Sequence, residues 1–233
     1  MRLDKFISGN TNYTRSDIKK LIKAQRVTIN AKLATHFAAK INVFDHIIEV
    51  DGRQILPVGN VYYMLNKPIG YVCTHVHDHH PTIFDLISNV PLPQSQLQIV
   101  GRLDIDTTGL VLLTNDGQWN HRITSPRSHC KKYYQVELSK PVDNSVGALF
   151  ADGIQLQGEK KPTLPAQLTI CTPHSVQLAI AEGKYHQVKR MFVAVDNQVK
   201  TLHRFAVGSI QLDPQLDFGQ YRPLTDSEIN SIK

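Results

Sequence analysis

From residue 62 onwards the sequence alternates short apolar strand patterns with a few helical ones, and this feature constrains the fold most. The strand patterns are YYMLNK, GLVLLT, YYQVEL, AQLTI and SVQLAI, at residues 62–67, 109–114, 133–138, 166–170 and 175–180. Helical patterns lie between them, around 119–123 and 188–195. Strands dominate, and their irregular spacing argues against repeated βαβ units. We therefore expect an α+β fold whose larger domain has a mostly antiparallel, mixed sheet flanked by helices.

The first 57 residues follow a different pattern. Apolar residues at positions 3, 6 and 7 predict a short first helix, and those at 18, 21 and 22 predict a second one. A capping-box pattern from Thr14 to Asp17 precedes the second helix. Short strand patterns follow, with turns after each. The sequence thus predicts a small domain over residues 1–57, a linker over 58–61 and a larger domain over 62–233.

Basic residues are concentrated in the small domain. The first 40 residues carry nine basic and two acidic side chains, a net charge of +7, whereas the whole chain carries +6. A local surplus of this kind favours a polyanion, most commonly RNA, and a solvated basic face is the alternative. The candidate RNA-binding residues are Arg2, Lys5, Arg15, Lys19, Lys20, Lys23 and Arg26.

Composition argues against several classes of protein. No apolar run approaches the roughly 20 residues that span a bilayer, and the N-terminal MRLDKFISGN lacks the apolar core of a signal peptide. Three scattered cysteines are too few for a disulfide framework. We expect a cytoplasmic protein without a membrane partner and, because no apolar stripe is left over, a monomer.

Residues 101–117, GRLDIDTTGLVLLTNDG, hold the most informative polar groups. If the segment is extended, Arg102, Asp104 and Asp106 lie on one side of the strand. From the residues alone, this carboxylate pair has three interpretations. The carboxylates are metal ligands, an acid/base pair, or side chains that stabilise a turn by hydrogen bonds.

Three motifs together resemble those of a known enzyme family. GRLD followed by TxGL and LTNDG, in 101–117, resembles the catalytic motif of the RsuA-like group of pseudouridine synthases. HCKKYYQVEL at 129–138 and EGKYHQVKRMF at 182–192 resemble further motifs of that family. RLDKFI and TRSDIKKLIKAQRVTINAKL, near the N-terminus, resemble the S4 domain, an RNA-binding module. The similarity spans nearly the whole chain.

The resemblance implies an isomerase that converts uridine into pseudouridine without a cofactor. It implies that Asp104 is the essential carboxylate and that Asp106 occupies a variable position. The substrate-binding residues that it implies are Arg102, Tyr134, Lys189 and Leu202. Among them, Lys189 pairs with Asp104 and keeps it ionised, Tyr134 rather than Tyr133 stacks on the base, and Leu202 packs beneath it. A helix that starts near residue 184 would carry Lys184 and Arg190 toward RNA or solvent.

The implied substrate is ribosomal RNA, either free or in an assembling small subunit. The motifs are most similar to those of family members that modify 16S RNA, where the expected target uridine is usually numbered 516. Alternatives are a synthase acting on large-subunit RNA and a non-catalytic RNA-binding protein of ribosome assembly. A further alternative is a metal-dependent RNA phosphodiesterase that uses Asp104, Asp106 and the histidines of 73–80.

Those histidines form the segment CTHVHDHH, residues 73–80, whose composition fits zinc or nickel. Its spacing matches no standard zinc finger, and the resembled family needs no metal. In that family the segment is a polar loop after a KPxG strand, here residues 67–70. We therefore expect no metal site.

Overall fold

A computed structural model of the chain describes residues 1–232 and contains two compact units. The N-terminal unit comprises Met1–Asn60 and Asn89–Leu97, and the C-terminal unit comprises Val61–Ser88 and the chain from Gln98 onward. In residues 1–232, no helix has both the length and the apolar character needed to cross a membrane.

The N-terminal unit packs two helices on a small antiparallel sheet. Its elements are α1 (Leu3–Asn10), α2 (Arg15–Lys23), β1 (Val27–Ile29), β2 (Lys32–Leu33), β3 (Ile48–Val50) and β4 (Arg53–Gln54), with sheet order β2-β1-β3-β4. The predicted capping box is present. Thr14 Oγ1 accepts a hydrogen bond from Asp17 N (3.2 Å), and Thr14 N donates to Asp17 Oδ2 (3.0 Å). That this unit is an S4 domain remains a prediction from the sequence.

The core of the N-terminal unit contains the apolar residues that predict its helices. Leu3, Phe6, Ile7, Ile18, Leu21 and Ile22 are buried with Val27, Ile48 and Val50. Because the first six recur at helical spacing, each helix turns one apolar face to the sheet. Asp4 of α1 is buried with that face, whereas the lysines of α2 point away from it. The basic side chains of α2 therefore lie on the surface.

Residues 89–97 also belong to the N-terminal unit, although the sequence predicts them in the larger domain. Their 3₁₀ turn spans Gln94–Gln96, and the side chain of its last residue hydrogen-bonds the end of α1. Gln96 Nε2 donates to the carbonyl oxygens of Ser8 and Thr11. These bonds satisfy carbonyl groups that have no partner inside the helix.

The C-terminal unit is built on one large sheet. Its strands are β5 (Tyr62–Lys67), β6 (Gln98–Val100), β7 (Thr108–Thr114), β8 (Lys132–Leu138), β9 (Gln167–Thr172), β10 (Ser175–Ile180), β11 (Val199–Val207), β12 (Ile210–Gln211) and β13 (Tyr221–Pro223). The main order is β13-β5-β7-β11-β8-β10-β9, with β6 on β7 and β12 on β11. Among the described strands, β7 and β11 run parallel and the other paired strands run antiparallel. The predicted mixed, mostly antiparallel sheet is confirmed.

Four helices flank this sheet: α3 (Gly117–Thr124), α4 (Asn144–Asp152), α5 (Gln187–Val193) and α6 (Asp226–Asn230). Beneath α3, Trp119 and Ile123 pack with Leu110 and Leu112 of β7, and all four are buried. Trp119 Nε1 donates to Ile229 O at 3.1 Å, so its polar atom is satisfied as well. The apolar pattern GLVLLT forms a central strand, because β7 lies between β5 and β11 in the sheet.

The parallel junction of β7 and β11 depends on Gly109, which faces Arg204. Gly109 has φ +103°, and a Cβ placed there would lie 2.3 Å from Arg204 O. The buried Arg204 side chain extends along the neighbouring strand. Its Nε donates to Leu110 O (2.8 Å) and its Nη2 to Gly101 O (2.7 Å). This contact holds the start of the segment that leads to Asp104.

Candidate active site

The segment from Arg102 to Asp106 is not extended throughout, so the shared face that an extended segment would give these side chains does not arise from strand geometry. Residues 102–104 lack regular secondary structure, and Ile105 and Asp106 form a turn that closes through a hydrogen bond from Thr107 N to Asp104 O (3.1 Å). The turn nevertheless places the two carboxylates on a common partner, because both contact one lysine.

A buried lysine holds this turn from below. Lys67, at the end of β5, is fully buried, and its ammonium donates to the carbonyl oxygens of Asp104 (3.0 Å), Ile105 (3.3 Å) and Thr107 (2.8 Å). It also reaches Pro68 O at 3.1 Å. Burial lowers the pKa of Lys67, and the charges of nearby acidic groups oppose that effect only in part. An ammonium group therefore fixes the backbone that carries Asp104.

Lys189 of α5 contacts both carboxylates of the turn. Its Nζ lies 3.0 Å from Asp104 Oδ2 and 2.5 Å from Asp106 Oδ1. Burial lowers the pKa of Lys189, but its bonds to Asp106 and Asp104 outweigh burial and leave that pKa raised. Burial likewise raises the pKa of Asp106, and Lys189 outweighs it so that the pKa is lowered. Lys189 and Asp106 thus favour each other's charged forms.

His186 approaches Asp104 from another direction. Its Nε2 lies 3.6 Å from Asp104 Oδ1, the oxygen that Lys189 does not contact. The backbone of His186 is left-handed, with φ 48° and ψ 36°, a conformation uncommon outside glycine. This conformation comes immediately before α5 and directs the imidazole to the carboxylate.

Asp104 lies in a cavity with the other predicted substrate-binding residues. The cavity, of about 90 Å³, is lined by Arg102, Asp104, Tyr134, Lys189 and Leu202, among others. Tyr134 on β8 and Leu202 on β11 are both buried, whereas Arg102 is exposed. A wider cleft of about 770 Å³ also includes Asp104, Tyr134 and Lys189. The structure therefore brings together the carboxylate, a cation, an aromatic ring and an apolar side chain.

Alternation along β8 separates the two neighbouring tyrosines. Tyr134 lines the cavity, whereas Tyr133 contacts Phe205, with ring centroids 6.1 Å apart. Within α5, Val188, Met191 and Phe192 are buried in the core, as their spacing predicts. Lys189, on another face of α5, points toward the residues 104–107.

Lys184 and Arg190 are half-buried and bonded to protein groups, and Lys184 precedes α5 and also lines the cavity of Asp104. That these two side chains reach RNA stays a prediction. Arg190 Nη1 donates to Glu159 Oε1 (3.0 Å), and Lys184 Nζ lies 3.5 Å from Glu159 Oε2. Lys184 also donates to Lys161 O at 3.1 Å. The Glu159 carboxylate, on a neighbouring loop, therefore forms ion pairs with both cations.

The predicted RNA-binding residues of the N-terminal unit are all exposed: Arg2, Lys5, Arg15, Lys19, Lys20, Lys23 and Arg26. Two of them form ion pairs. Arg2 Nη2 lies 2.7 Å from Asp4 Oδ2, and Arg26 Nε lies 2.6 Å from Asp51 Oδ1. The lysines of α2 therefore dominate the exposed charge of this surface.

The histidine loop at 73–80 has local partners. His75 stacks on Phe84 at 4.0 Å, His77 Nδ1 lies 3.9 Å from Asp85, and His79 Nε2 lies 3.2 Å from Asp78. Across residues 1–232, no three histidine, cysteine, aspartate or glutamate side chains converge in a way that could hold a metal ion. Asp104 and Asp106 converge instead on the Lys189 ammonium.

Sequence reasoning did not assign roles to Lys67, His186 and Arg204. Lys67 belongs to the KPxG pattern at 67–70. In that pattern Gly70 N donates to Ile105 O (2.8 Å), which joins the pattern to the turn at 104–107. Nothing in the spacing of the residues shows that Lys67 binds the carbonyl groups of the same turn. His186 lies within the EGKYHQVKRMF motif, but its left-handed backbone has no glycine to signal it.

A family model described as RNA pseudouridylate synthase matches residues 61–194. The chain belongs to this family of isomerases, and the matched residues include Asp104, Tyr134 and Lys189 of the cavity. The C-terminal unit, which holds this cavity, is called the catalytic unit from here on. Among curated relatives, it is 48% identical to the ribosomal small subunit pseudouridine synthase A of Haemophilus influenzae, with 100% of this chain and 99% of that protein covered. The protein of the same name from Escherichia coli K12 is also 48% identical, with 100% of both covered.

A solved structure described as a pseudouridylate synthase is 46% identical and covers 100% of both chains with a TM-score of 0.72. The similarity therefore includes both units of the chain. The fold of this protein is that of a pseudouridine synthase.

Proposed function

We propose that this protein converts one uridine of 16S ribosomal RNA into pseudouridine, at the position usually numbered 516, with Asp104 as the essential carboxylate. The observation that carries the proposal is the pair of Asp104 and Lys189, 3.0 Å apart in a cavity with Tyr134 and Leu202. The names of the full-length relatives support the choice of small-subunit RNA. We extend the proposal to a cytoplasmic monomer acting on free RNA or on an assembling small subunit.

The reaction is an isomerisation, so its atoms balance without a co-reactant. The bond between ribose C1′ and uracil N1 breaks, the base turns, and a bond forms between C1′ and C5. N1 gains a proton and C5 loses one. Asp104 serves this sequence either by adding covalently at C1′ or by removing a ribose proton. In both routes Asp104 acts as a carboxylate, and the Lys189 ammonium lies 3.0 Å from its Oδ2.

The cavity accounts for the handling of the base. A target uridine must leave its stack to reach a carboxylate within a cavity, and an aromatic ring replaces the lost stacking. Tyr134 supplies that ring and Leu202 an apolar surface for the base. The exposed Arg102 is suited to the charge of the adjoining phosphate.

The test is the mapping of pseudouridine in a 16S transcript and in partly assembled small subunits, by carbodiimide-dependent stops of reverse transcription. We expect one chelator-resistant stop with the wild-type protein and none with Asp104→Asn. Asp152→Asn, which removes an exposed carboxylate at the end of α4, serves as the matched control and should retain the stop.

Each other outcome contradicts a defined part of the proposal. A stop in large-subunit RNA instead of 16S RNA would show a different target. RNA binding without pseudouridine in either RNA would identify a non-catalytic protein. Shortened RNA that disappears with chelator would identify a metal-dependent phosphodiesterase.

A further inference from the structure

Tyr185 presents its ring at the mouth of the active-site cleft. We propose that it forms a stacking subsite for the base of a nucleotide adjacent to the target uridine. This inference rests on the proposed function, because it requires that the Asp104 cavity receive a uridine from RNA. It adds a second contact with the substrate, outside the cavity that holds the reacting base.

The position of the ring follows from two contacts. The rings of Tyr185 and His186 are stacked, with centroids 3.8 Å apart and planes at 19°. His186 Nε2 in turn lies 3.6 Å from Asp104 Oδ1. The His186 imidazole therefore lies between the Tyr185 ring and the Asp104 carboxylate. Both rings line the wide cleft. A nucleotide joined to the target uridine by one phosphodiester is within reach of such a platform.

Exposure of the ring calls for an explanation. Tyr185 is 75% exposed although one face of its ring is covered by His186, so the other face is open to solvent. A large aromatic side chain left in water forgoes the stabilisation of burial. Every RNA base has a π-face, and base–aromatic stacking contributes about 1–3 kcal/mol per base in single-stranded complexes.

The backbone around Tyr185 is held in place. Its carbonyl oxygen accepts a hydrogen bond from Arg190 Nη1 (2.9 Å), and the same guanidinium contacts Glu159 Oε1 at 3.0 Å. Arg190 Nη2 donates to Gln157 O at 2.6 Å as well. Because the platform is fixed before RNA arrives, little conformational entropy is lost when a base stacks on it.

The chemistry of the cleft favours RNA over an apolar ligand. The exposed Arg102 lines the same cleft as Tyr185, so a cationic side chain accompanies the exposed ring. When a uridine turns out of its stack, the bases on either side lose a stacking partner. Tyr185 would replace that partner for one of them, and this offsets part of the energy required to extrude the target.

The test is a double-mutant cycle between protein and RNA. One 16S fragment is prepared intact, with an abasic residue on the 5′ side of the target, and with an abasic residue on the 3′ side. Dissociation constants and single-turnover rates are measured for wild type, Tyr185→Ala and Tyr185→Phe. The control is Phe218→Ala, which removes another exposed ring of the catalytic unit that lines neither cavity.

We expect Tyr185→Ala to weaken binding of the intact RNA or to reduce kcat/KM by about 5- to 150-fold, the range that corresponds to one lost stack. On one of the two abasic RNAs this loss should vanish, because no base remains to stack. Tyr185→Phe should restore most of the loss, and Phe218→Ala should show no coupling to either abasic residue.

Equal losses with Tyr185→Ala on all three RNAs, or no loss on the intact RNA, would overturn the subsite. A failure of the proposed target is seen separately, as absence of pseudouridine in the intact 16S fragment with wild-type protein. The cycle is then measured on the RNA that the wild type does modify or, failing any product, as dissociation constants alone. If those dissociation constants show no coupling between Tyr185→Ala and either abasic residue, the subsite is overturned too.

Discussion

At Asp104, the two carboxylate oxygens have different neighbours. Lys189 contacts Oδ2, and the imidazole of His186 lies 3.6 Å from Oδ1. Lys189 is shared with Asp106, so its ammonium is balanced by two carboxylates rather than one. Asp106 is thus a positioning residue, which acts on the reaction through Lys189. This role predicts a change in pH dependence rather than loss of activity alone.

Asp106→Asn should move the alkaline limb of the pH–rate profile to lower pH. The charge and hydrogen bond of Asp106 help raise the pKa of Lys189 above its usual value, and asparagine keeps the shape while removing the charge. Lys189 then loses its proton at lower pH, and Asp104 loses its ammonium partner. Single-turnover kcat/KM for wild type and variant across alkaline pH, on the same RNA, is the measurement. Coincident alkaline limbs would show that Asp106 does not act through Lys189.

Lys67→Met should lower kcat at saturating RNA by roughly 10- to 100-fold with a smaller change in KM, because slight misplacement of a reacting group has a large effect on rate. The variant deprives the carbonyl groups of Asp104, Ile105 and Thr107 of the ammonium that holds them. Thermal unfolding of the same variant separates local displacement from global instability. An unchanged kcat in a folded variant would contradict the role of Lys67 as a positioning residue.

The same substitution makes a signed prediction for stability. Burial lowers the pKa of Lys67 in the folded state, so in the pH range just below the ordinary lysine pKa the unfolded chain binds more protons. The free energy of unfolding contributed by this group therefore rises with pH across that range. Replacement by methionine should flatten this rise, which denaturant unfolding at several pH values would measure. If the free energy of unfolding of the variant rises equally steeply with pH, Lys67 is not the source of the rise.

Sequence motifs placed Asp104, Tyr134, Lys189 and Leu202 in one site, and the structure brings these four side chains into one cavity. The motifs gave no role to Lys67, because its partners are backbone carbonyl groups about 40 residues away, and such groups have no signature in a sequence. Contacts between a side chain and a distant main chain can be found only after the fold is known.

At the scale of elements, the strands and helices followed from apolar spacing, whereas the turn at 104–107 did not. The residues from 102 to 106 left a strand and a turn both open, and in the structure Thr107 N donates to Asp104 O and bends the chain. The deciding interactions are the bonds of this turn to Lys67, at the end of β5, and to Gly70, in the turn that follows β5. Tertiary contacts decided what the local pattern left open.

Gly109→Ala should destabilise the catalytic unit by about 2–4 kcal/mol, the sum of a strained φ and a steric clash. The added methyl group would lie 2.3 Å from Arg204 O at the parallel junction of β7 and β11. Gly147→Ala within α4 is the matched control. It has ordinary space around it and should stabilise the protein by about 0.5–1 kcal/mol. Chemical denaturation measures both, and equal effects would contradict the steric argument.

For the molecule as a whole, charge on the N-terminal unit should control the salt dependence of RNA binding. Neutralising the three exposed lysines of α2 (Lys19, Lys20 and Lys23) to glutamine should reduce the slope of log affinity against log salt by about 2, at roughly 0.7 per phosphate contact. Turnover at saturating RNA should change little, because these residues lie outside the catalytic unit.

The matched control neutralises three exposed lysines of the catalytic unit that line neither the Asp104 cavity nor the wider cleft around it: Lys140, Lys160 and Lys200. Affinity is measured by titration at several salt concentrations. Equal reductions in slope for the two triple variants would show that α2 has no special part in RNA binding.

Residues 89–97 join the N-terminal unit from within the span of the other one, so the polypeptide passes between the two units three times rather than once. No single cut can therefore yield two complete halves. A nick at 60/61 would leave the first 60 residues associated with 89–97 through non-covalent contacts alone, which makes the protein a natural candidate for reconstitution from two fragments. A chimaera that exchanges the N-terminal unit between relatives must exchange 89–97 together with it.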